Sequence, residues 1–265
     1  MQTKKVNDYL TPLLTNAPAS WALIRANEIR ALDGIEFKQP SLDVGCGDGL
    51  VAKIILSNKR IKKFDVGIDL SLREINKAQK SGAYKKCIVA NVYDLPFPDQ
   101  AFQTVFSNSV VEHIPNLQQA LSEMSRVLKK NGELIVTVPS KYLESYLIGG
   151  KVLGRGYNKF FNRLNKHYNL YNHKQWEKIF AHHNLKLTYH YYYHTPGMIK
   201  AHEILAYIAM PIHLAKVFVG YWPVFPSLRK KLIMPWLIKL LRPFYLADAR
   251  NDEGGSIVLV AKKIN

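Results

Sequence analysis

The sequence predicts an α/β fold, a doubly wound and mostly parallel sheet with helices on both faces. Short apolar runs typical of buried strands alternate with helical patterns through the first 140 residues. A glycine-rich stretch, "SLDVGCGDGL" (Ser41 to Leu50), follows the first of these runs, where sheets of this kind bind ligands. These two observations indicate a ligand-binding domain at the amino-terminal side of the chain.

The composition indicates a globular protein with a strong positive charge. The chain has 265 residues, of which 48% are hydrophobic and 22% charged, so it is long enough and apolar enough for one elaborated globular domain. Its net charge of +17 suits an anionic partner such as nucleic acid, acidic lipid or a phosphorylated substrate. Cys46 and Cys87 form no disulfide or zinc pattern, and the first residues have too short an apolar core for a signal peptide, which favours a cytoplasmic location.

Predicted strands and helices alternate along the chain. Ser71 is placed to cap the first turn of its helix and Gly82 to close the last, and Gly132 is expected to end a later helix. The predicted helices are 21–32, 49–56, 71–82, 116–132 and 174–184. The predicted strands are 41–45, 63–69, 86–92, 101–109, 133–140, 185–194 and 255–263.

The glycine-rich turn has a physical purpose. Gly45, Gly47 and Gly49 allow the backbone to turn tightly and to approach a ligand closely at the carboxyl edge of the sheet. Asp69 ends the second strand, where an acidic side chain can accept hydrogen bonds from both hydroxyls of a ribose. A nicotinamide dehydrogenase would also fit these features, but the dinucleotide pattern requires a third glycine at the position of Leu50. An adenosine-type ligand is therefore predicted.

Several motifs in order resemble one family. "LDVGCGDG", the acidic Asp69, "YDLPFPDQAFQ" and "VVEHI" together resemble the class I S-adenosylmethionine-dependent methyltransferases, in their small-molecule and lipid branch. The resemblance covers residues 40 to 140 closely. It implies a Rossmann-like seven-stranded sheet, S-adenosylmethionine as cofactor, no metal, and a methyl-transfer activity.

The resemblance also implies roles for particular residues. Asp43 would hold the ammonium group of the cofactor, Asp69 its ribose hydroxyls, and Leu70 would pack on adenine. The family usually has Asp where this chain has Asn91, whose amide oxygen can also accept a bond from the adenine amino group. The other positions that the resemblance assigns to the cofactor are Gly45, Gly47, Gly49, Val92, Ser107 and Asn108.

Two histidines are candidates for the catalytic base, which methyl transfer needs only if the attacking atom must lose a proton. His167, in "NKHYNLYNH", follows the fifth strand, where relatives shape the acceptor pocket; an exposed loop is the alternative interpretation. His113, in "VVEHI", lies near the active edge, but a packed or capping histidine is the more common role for such a position.

A long segment before the last strand is the other unusual feature. Residues 195–254 are predicted to form an insertion between the last two strands, with residues 1–39 as an amino-terminal helical cap and 40–194 plus 255–265 as the cofactor-binding domain. The insertion combines an apolar run, 204–225, with amphipathic rings and cations. These are Tyr221, Trp222, Trp236, Arg229, Lys230, Lys231, Lys239 and Arg242. Such a composition is typical of a membrane-interface segment, with a hydrophobic lid or dimer surface as the alternative.

The sequence therefore predicts methyl transfer to a hydrophobic, lipid-linked or small-molecule acceptor, with the protein cytoplasmic and peripheral on the inner face of a membrane. An RNA or other nucleic-acid methyltransferase is the runner-up because of the net charge, although "SNSV" stands where amino-methylating nucleic-acid enzymes have "NPPY" or "DPPY". A catalytically inactive cofactor-binding scaffold is the third alternative.

Overall fold

The fold is a seven-stranded mixed sheet between two layers of helices. The computed structural model describes residues 7–211, 214, 218, 234–250 and 252–264. The strand order is β3-β2-β1-β4-β5-β7-β6, and β7 runs antiparallel to both of its neighbours. The strands are β1 (Ser41–Val44), β2 (Phe64–Asp69), β3 (Tyr84–Val89), β4 (Phe102–Asn108), β5 (Leu128–Pro139), β6 (Leu185–Tyr193) and β7 (Ser256–Lys263). The predicted Rossmann-like, mostly parallel arrangement is confirmed.

The described helices cover both faces of this sheet, and each face has its own apolar core. A single 3-10 turn, Val111–His113, follows β4. The α-helices are α1 (Leu10–Asn16), α2 (Ala19–Ala31), α3 (Leu50–Leu56), α4 (Leu72–Ser81), α5 (Leu117–Val127), α6 (Leu143–Tyr146), α7 (Ile148–Leu153), α8 (Arg155–Asn165), α9 (His173–Ala181), α10 (Pro196–Ile208) and α11 (Met234–Leu246).

Local signals in the sequence explain several helix ends. The Ser71 hydroxyl accepts a hydrogen bond from the Glu74 N–H at 3.3 Å, and Gly82 adopts a φ of 79° after the last turn of α4. Both roles were predicted. The cap satisfies one of the free N–H groups of the first turn, and the glycine adopts the left-handed conformation at little steric cost.

Several predicted boundaries are wrong. The helix expected to end at Gly132 ends at Val127, because Leu128 already pairs with Phe102 at the start of β5. The third strand begins at Tyr84, earlier than expected, because it pairs with Phe64 from the first residue of β2 onwards, and it ends before Asn91. In both cases pairing between strands distant in sequence overrides the local pattern.

The described parts of the predicted insertion belong to the fold's core. Helix α10 packs on α2, and α11 packs on α1 and α2. Five of their side chains are buried in the same apolar cluster as the α2 core, namely Met198, Ile199, Met234, Leu241 and Tyr245. Part of the apolar character of this segment is therefore explained by burial, and a separate apolar insertion is not what these helices form. On α11, Trp236, Lys239 and Arg242 are exposed.

The remaining residues of the expected membrane-interface segment, Tyr221, Trp222, Arg229, Lys230 and Lys231, lie outside the described residues. Among the helices that the structure does describe, none combines the length and the apolar character needed to cross a bilayer.

Candidate active site

The glycine-rich turn leaves β1 at the carboxyl edge of the sheet. The N–H groups of Gly45 and Cys46 both donate to the carbonyl of Ile68, at 2.8 and 2.9 Å, which ties the turn to the end of β2. Gly45 has a φ of 76°, and a Cβ at this position would lie 2.4 Å from a methyl group of Val110. Only glycine fits here, because both the backbone conformation and the contact with Val110 exclude a side chain.

The carboxylate of Asp69 is held in a fixed orientation beside this turn. One of its oxygens accepts from the Gly47 N–H at 3.0 Å, and the other accepts from the Ser71 N–H at 2.9 Å. Each carboxylate oxygen has further lone pairs, so the group can still accept hydrogen bonds from a vicinal diol. Pre-orientation by two backbone groups lowers the entropic cost of binding such a ligand.

A cavity of about 340 Å³ lies against the turn and Asp69, and we call it the donor cavity. Four of the predicted cofactor residues line it: Gly45, Asp69, Leu70 and Val92. Leu70 is 70% exposed, which leaves an apolar side chain free to cover a planar ring. Backbone room at Gly45, a fixed acceptor pair at Asp69 and apolar surface at Leu70 and Val92 fit an adenosine-type cofactor.

Other predicted cofactor residues lie behind this surface. Asp43 is buried and accepts a hydrogen bond from the Tyr84 hydroxyl at 2.7 Å. Burial, together with the charge of Asp69, raises the pKa of Asp43 to about 7 although the Tyr84 bond opposes the shift. Asp43 does not line the donor cavity, and neither do Gly47 and Gly49, which shape the turn from outside it.

Asn91 lies next to the cavity without lining it. Its side-chain oxygen accepts from the Tyr93 N–H at 3.1 Å, while its neighbours Ala90 and Val92 line the cavity wall. The side chain is exposed, and the carbonyl oxygen can accept a second bond. The assigned contact with an adenine amino group remains a prediction.

Strand β4 ends at Asn108, one residue earlier than the predicted strand. Ser107 is fully buried and donates to the Val44 carbonyl at 3.4 Å, and Asn108 donates to Glu28 at 3.1 Å; neither lines the donor cavity. The next residue, Ser109, leaves the strand with a φ of 52° and does line the donor cavity. The sequence pattern placed Ser109 inside the strand, and therefore missed it.

A second cavity, of about 190 Å³, adjoins the first, and we call it the acceptor cavity. Ser109 and His113 line both cavities. Apolar side chains form much of its wall, including Trp21, Ile24, Leu143, Leu147, Phe161 and Ile199. Its polar lining includes Arg25, Glu28, Glu112, His167 and His194. These residues come from α2, the 3-10 turn and the segments after β5, which lie far apart in sequence.

Glu28, on helix α2, is the centre of a buried polar network. It pairs with Arg25 at 2.5 Å and accepts hydrogen bonds from the hydroxyls of Ser109 at 2.5 Å and Thr137 at 3.0 Å. Burial opposes ionisation, but the charge of Arg25 and the hydrogen bonds from Ser109 and Asn108 lower the pKa of Glu28 overall. The network fixes Ser109 between the two cavities. Sequence reasoning missed Glu28, although an Arg and a Glu three residues apart in a largely apolar helix were a signal.

The pKa of Glu112 is shifted in the opposite direction from that of Glu28. It is 2% exposed, and its Oε2 has no hydrogen-bond partner among the described residues. Burial raises the pKa of Glu112 to about 8, and the nearby charge of Glu28 adds to the effect. The carboxyl group is therefore mostly protonated at neutral pH. It belongs to the "VVEHI" motif that carried the family resemblance, but sequence reasoning assigned it no role.

The two predicted catalytic histidines lie together. The rings of His113 and His167 stack at a centroid distance of 5.6 Å. The Nδ1 of His113 lies 3.2 Å from the Lys166 carbonyl, which can only accept, so Nδ1 carries the proton. The Nε2 of the neutral ring keeps its lone pair and lies 3.7 Å from the Oε1 of Glu112. Burial lowers the pKa of both rings, that of His167 to about 4. His113 lines both cavities, whereas His167 lines the acceptor cavity and not the donor cavity.

Comparisons with known proteins agree with this geometry. Residues 42–136 match the family model described as a methyltransferase domain. The 24-methylenesterol C-methyltransferase 2 of Arabidopsis thaliana is 34% identical over 40% of this chain and 31% of its own length. The ubiquinone biosynthesis O-methyltransferase of Pelagibacter ubique is 28% identical over 47% of this chain and 52% of its own.

Solved structures extend the similarity of fold over most of the chain. Geranyl diphosphate methyltransferase, determined in complex with S-adenosylmethionine, superimposes with a TM-score of 0.53 at 15% identity, covering 92% of this chain and 90% of its own. The chain spans about half or less of the length of the first curated relatives it matches. The glycine turn, the oriented Asp69 and the matched segment lead to one conclusion: this chain contains a class I methyltransferase domain, of the family whose cofactor is S-adenosylmethionine.

Proposed function

We propose that the protein transfers the methyl group of S-adenosylmethionine to a small, largely apolar acceptor that binds in the acceptor cavity. The observation that carries this proposal is the junction of the two cavities at Ser109 and His113. A donor held on one side of these residues and an acceptor on the other would meet there, and methyl transfer depends mainly on such positioning and on the exclusion of water.

In this proposal, the four predicted cofactor residues of the donor cavity have defined roles. Asp69 accepts from the ribose hydroxyls, Leu70 and Val92 cover the adenine ring, and Gly45 provides the space that a side chain would fill. Asp43, held by Tyr84, acts on the ammonium group through water, because its side chain does not line the cavity. The cofactor, when bound, supplies an activated methyl group on a sulfonium.

On the acceptor side, we assign proton removal to the Nε2 of His113. This nitrogen carries no proton in the neutral ring and lies 3.7 Å from the Glu112 Oε1, beyond hydrogen-bond distance. The ring is fixed by the Lys166 carbonyl and by stacking on His167. The low pKa of His167 makes this ring a weak base, so its role in the proposal is to hold His113 and to shape the cavity. Neutral rings at pH 7 are the protonation state that a base requires.

The acceptor class is inferred from the cavity wall. Six large apolar side chains line the cavity together with ten polar residues, a composition that fits a molecule with an apolar body and a polar reacting end. The names of two relatives, a methylenesterol C-methyltransferase and a ubiquinone biosynthesis O-methyltransferase, favour the same class. A lipid-linked acceptor, reached at a membrane surface, is the finer form of this proposal.

Calorimetric titration with S-adenosylmethionine tests the donor half. We expect Asp69→Ala to lose on the order of 1.5 to 3 kcal/mol of binding free energy, the scale for hydrogen bonds to a charged group, which is roughly a tenfold to hundredfold weaker affinity. Asp48→Ala is the matched control, because Asp48 is an exposed acid in the same turn that does not line the cavity. Wild-type affinity in a folded Asp69→Ala protein would refute the assignment.

The acceptor half is tested with cofactor carrying a radiolabelled methyl group and a cell extract separated into lipid and aqueous fractions. We expect label in the lipid fraction. Label in RNA would favour the nucleic-acid alternative, and no transfer from a protein that binds the cofactor would favour an inactive scaffold.

A further inference from the structure

Helices α7 and α8 form a strongly basic hairpin that the sequence analysis did not single out. No Asp or Glu occurs between residues 145 and 176. Within the hairpin and just after it, five cations are exposed: Lys151, Arg155, Lys159, Arg163 and Lys166. None of them forms an ion pair with an acidic side chain in the described part of the chain. Their charge is therefore available to an external anionic partner.

The same hairpin also exposes large apolar side chains. Val152, Leu153, Phe160 and Leu164 are between 61% and 74% exposed. Neither helix buries a residue completely, in contrast to the other helices around the sheet. Phe160 and Leu164 are one helical turn apart, so they lie on one face of α8, adjacent to Lys159 and Arg163 in sequence.

The inner side of the hairpin belongs to the acceptor cavity. Phe161 and Asn165 of α8 line this cavity, as does His167 just beyond the helix. The Tyr157 hydroxyl donates to Glu203 at 2.5 Å, which fastens α8 to α10. The hairpin is thus a wall with one face towards the site and the other towards the exterior.

We propose that the outer face of α7 and α8 docks on an anionic lipid bilayer, so that a membrane-dissolved acceptor reaches the cavity past this wall. Interleaved apolar and cationic side chains match the two layers of a membrane interface, where apolar groups enter the acyl boundary and cations lie at anionic headgroups. A nucleic acid would use the cations but leave Phe160 and Leu164 in water. The route of the acceptor rests on the proposed function, whereas the docking itself does not.

Vesicle flotation of the full-length protein tests the docking. The probes are phosphatidylcholine vesicles with and without phosphatidylglycerol, at low and at physiological salt. One variant removes charge, Lys159→Gln with Arg163→Gln, and a second removes apolar surface, Phe160→Ser with Leu164→Ser. The control, Lys63→Gln with Lys130→Gln, removes two exposed lysines on the opposite edge of the sheet.

We expect the wild type and the control to float with anionic vesicles. Both hairpin variants should partition at least roughly tenfold less, with unchanged thermal unfolding because the altered side chains are exposed. If the wild type does not float, or if both hairpin variants float like the control, the docking proposal is overturned. Binding to RNA that the charge variant loses and the apolar variant keeps, without flotation, would also overturn it.

Cofactor titration of the same variants separates this inference from the proposed function. We expect unchanged affinity for S-adenosylmethionine in the hairpin variants, because the donor cavity contains none of their altered residues. A wild type that floats but binds no cofactor would leave the docking intact and refute the proposed function. A wild type that binds cofactor and transfers methyl groups without floating would refute the docking and leave the proposed function intact.

Discussion

At the residue scale, the two stacked histidines have different environments and should differ in their effect on catalysis. His113 lines both cavities, while His167, with its pKa lowered to about 4, lines the acceptor cavity and not the donor cavity. From the sequence, His167 was the stronger candidate for the base. The geometry instead favours His113.

We therefore expect His113→Ala to lower turnover by roughly a hundredfold or more, the range for loss of a general base, even at a saturating concentration of cofactor. His167→Ala should lower turnover less, because it removes the stacking partner and leaves Nε2 of His113 in place. The measurement is kcat with the acceptor identified from the extract, over a range of pH. A His113→Ala enzyme with wild-type kcat and an unchanged pH profile would remove His113 from the mechanism.

Glu112 is the second residue whose protonation has a measurable consequence. Its carboxyl group titrates near 4.5 in the unfolded chain and near 8 in the folded protein. Between these values the folded state binds more protons than the unfolded state, so this residue's contribution to stability is lost as pH rises and is constant above about 8.

We expect Glu112→Gln, which cannot titrate, to gain stability relative to the wild type as pH increases. The difference in free energy of unfolding should change by on the order of 2 to 4 kcal/mol between about pH 5 and pH 9. Urea denaturation at several pH values measures it, with Glu177→Gln, an exposed glutamate of α9, as control. Parallel curves for the wild type and Glu112→Gln would show that Glu112 is ionised throughout.

At the element scale, the carboxyl end of α2 depends on one buried lysine. The Lys59 ammonium donates to the carbonyls of Leu32, Asp33 and Ile35, at 2.6, 2.8 and 2.7 Å. These carbonyls belong to the turn that follows α2, and a cation is favourable at this end of the helix dipole.

Lys59→Met should therefore destabilise the protein by roughly 2 to 3 kcal/mol, because buried carbonyls lose a charged donor. Thermal or urea unfolding measures the loss, and Lys63→Met, at an exposed position, should change little. Cofactor affinity at temperatures where the variant is folded should stay near the wild-type value. An unaltered stability of Lys59→Met would mean that water replaces the ammonium group at no cost.

The elements were predictable to different degrees, for physical reasons. Ser71 and Gly82 act through local backbone geometry, so the bounds of α4 could be predicted from its own sequence. The end of α5 could not, because Leu128 has a helical pattern before it and a strand partner, Phe102, that is distant in sequence. Pairing between strands decides such boundaries, and no local pattern encodes it.

At the scale of the whole molecule, the donor side could be predicted and the acceptor side could not. Asp69 and Gly45 are close in sequence to strand ends whose position the alternating pattern defines. Glu28 and Glu112 meet only because α2 packs against the end of β4, so their proximity depends on tertiary structure. Each segment contains its acidic residue, but no sequence pattern indicates that the two residues lie close together in the folded protein.

The position of helix α2 has a consequence for how this protein could be altered. The segment matched by the family model, 42–136, contains the donor cavity, whereas α2 precedes it and supplies Arg25 and Glu28 to the acceptor cavity. In the proposed function, part of the substrate choice is thus encoded outside the segment that binds the methyl donor. A chimera carrying the α1–α2 region of a relative should keep its affinity for the methyl donor and change the range of molecules it modifies, as competition between labelled acceptors would reveal. New specificities would then arise by exchange of a short segment that precedes the donor-binding one, which is inherited unchanged.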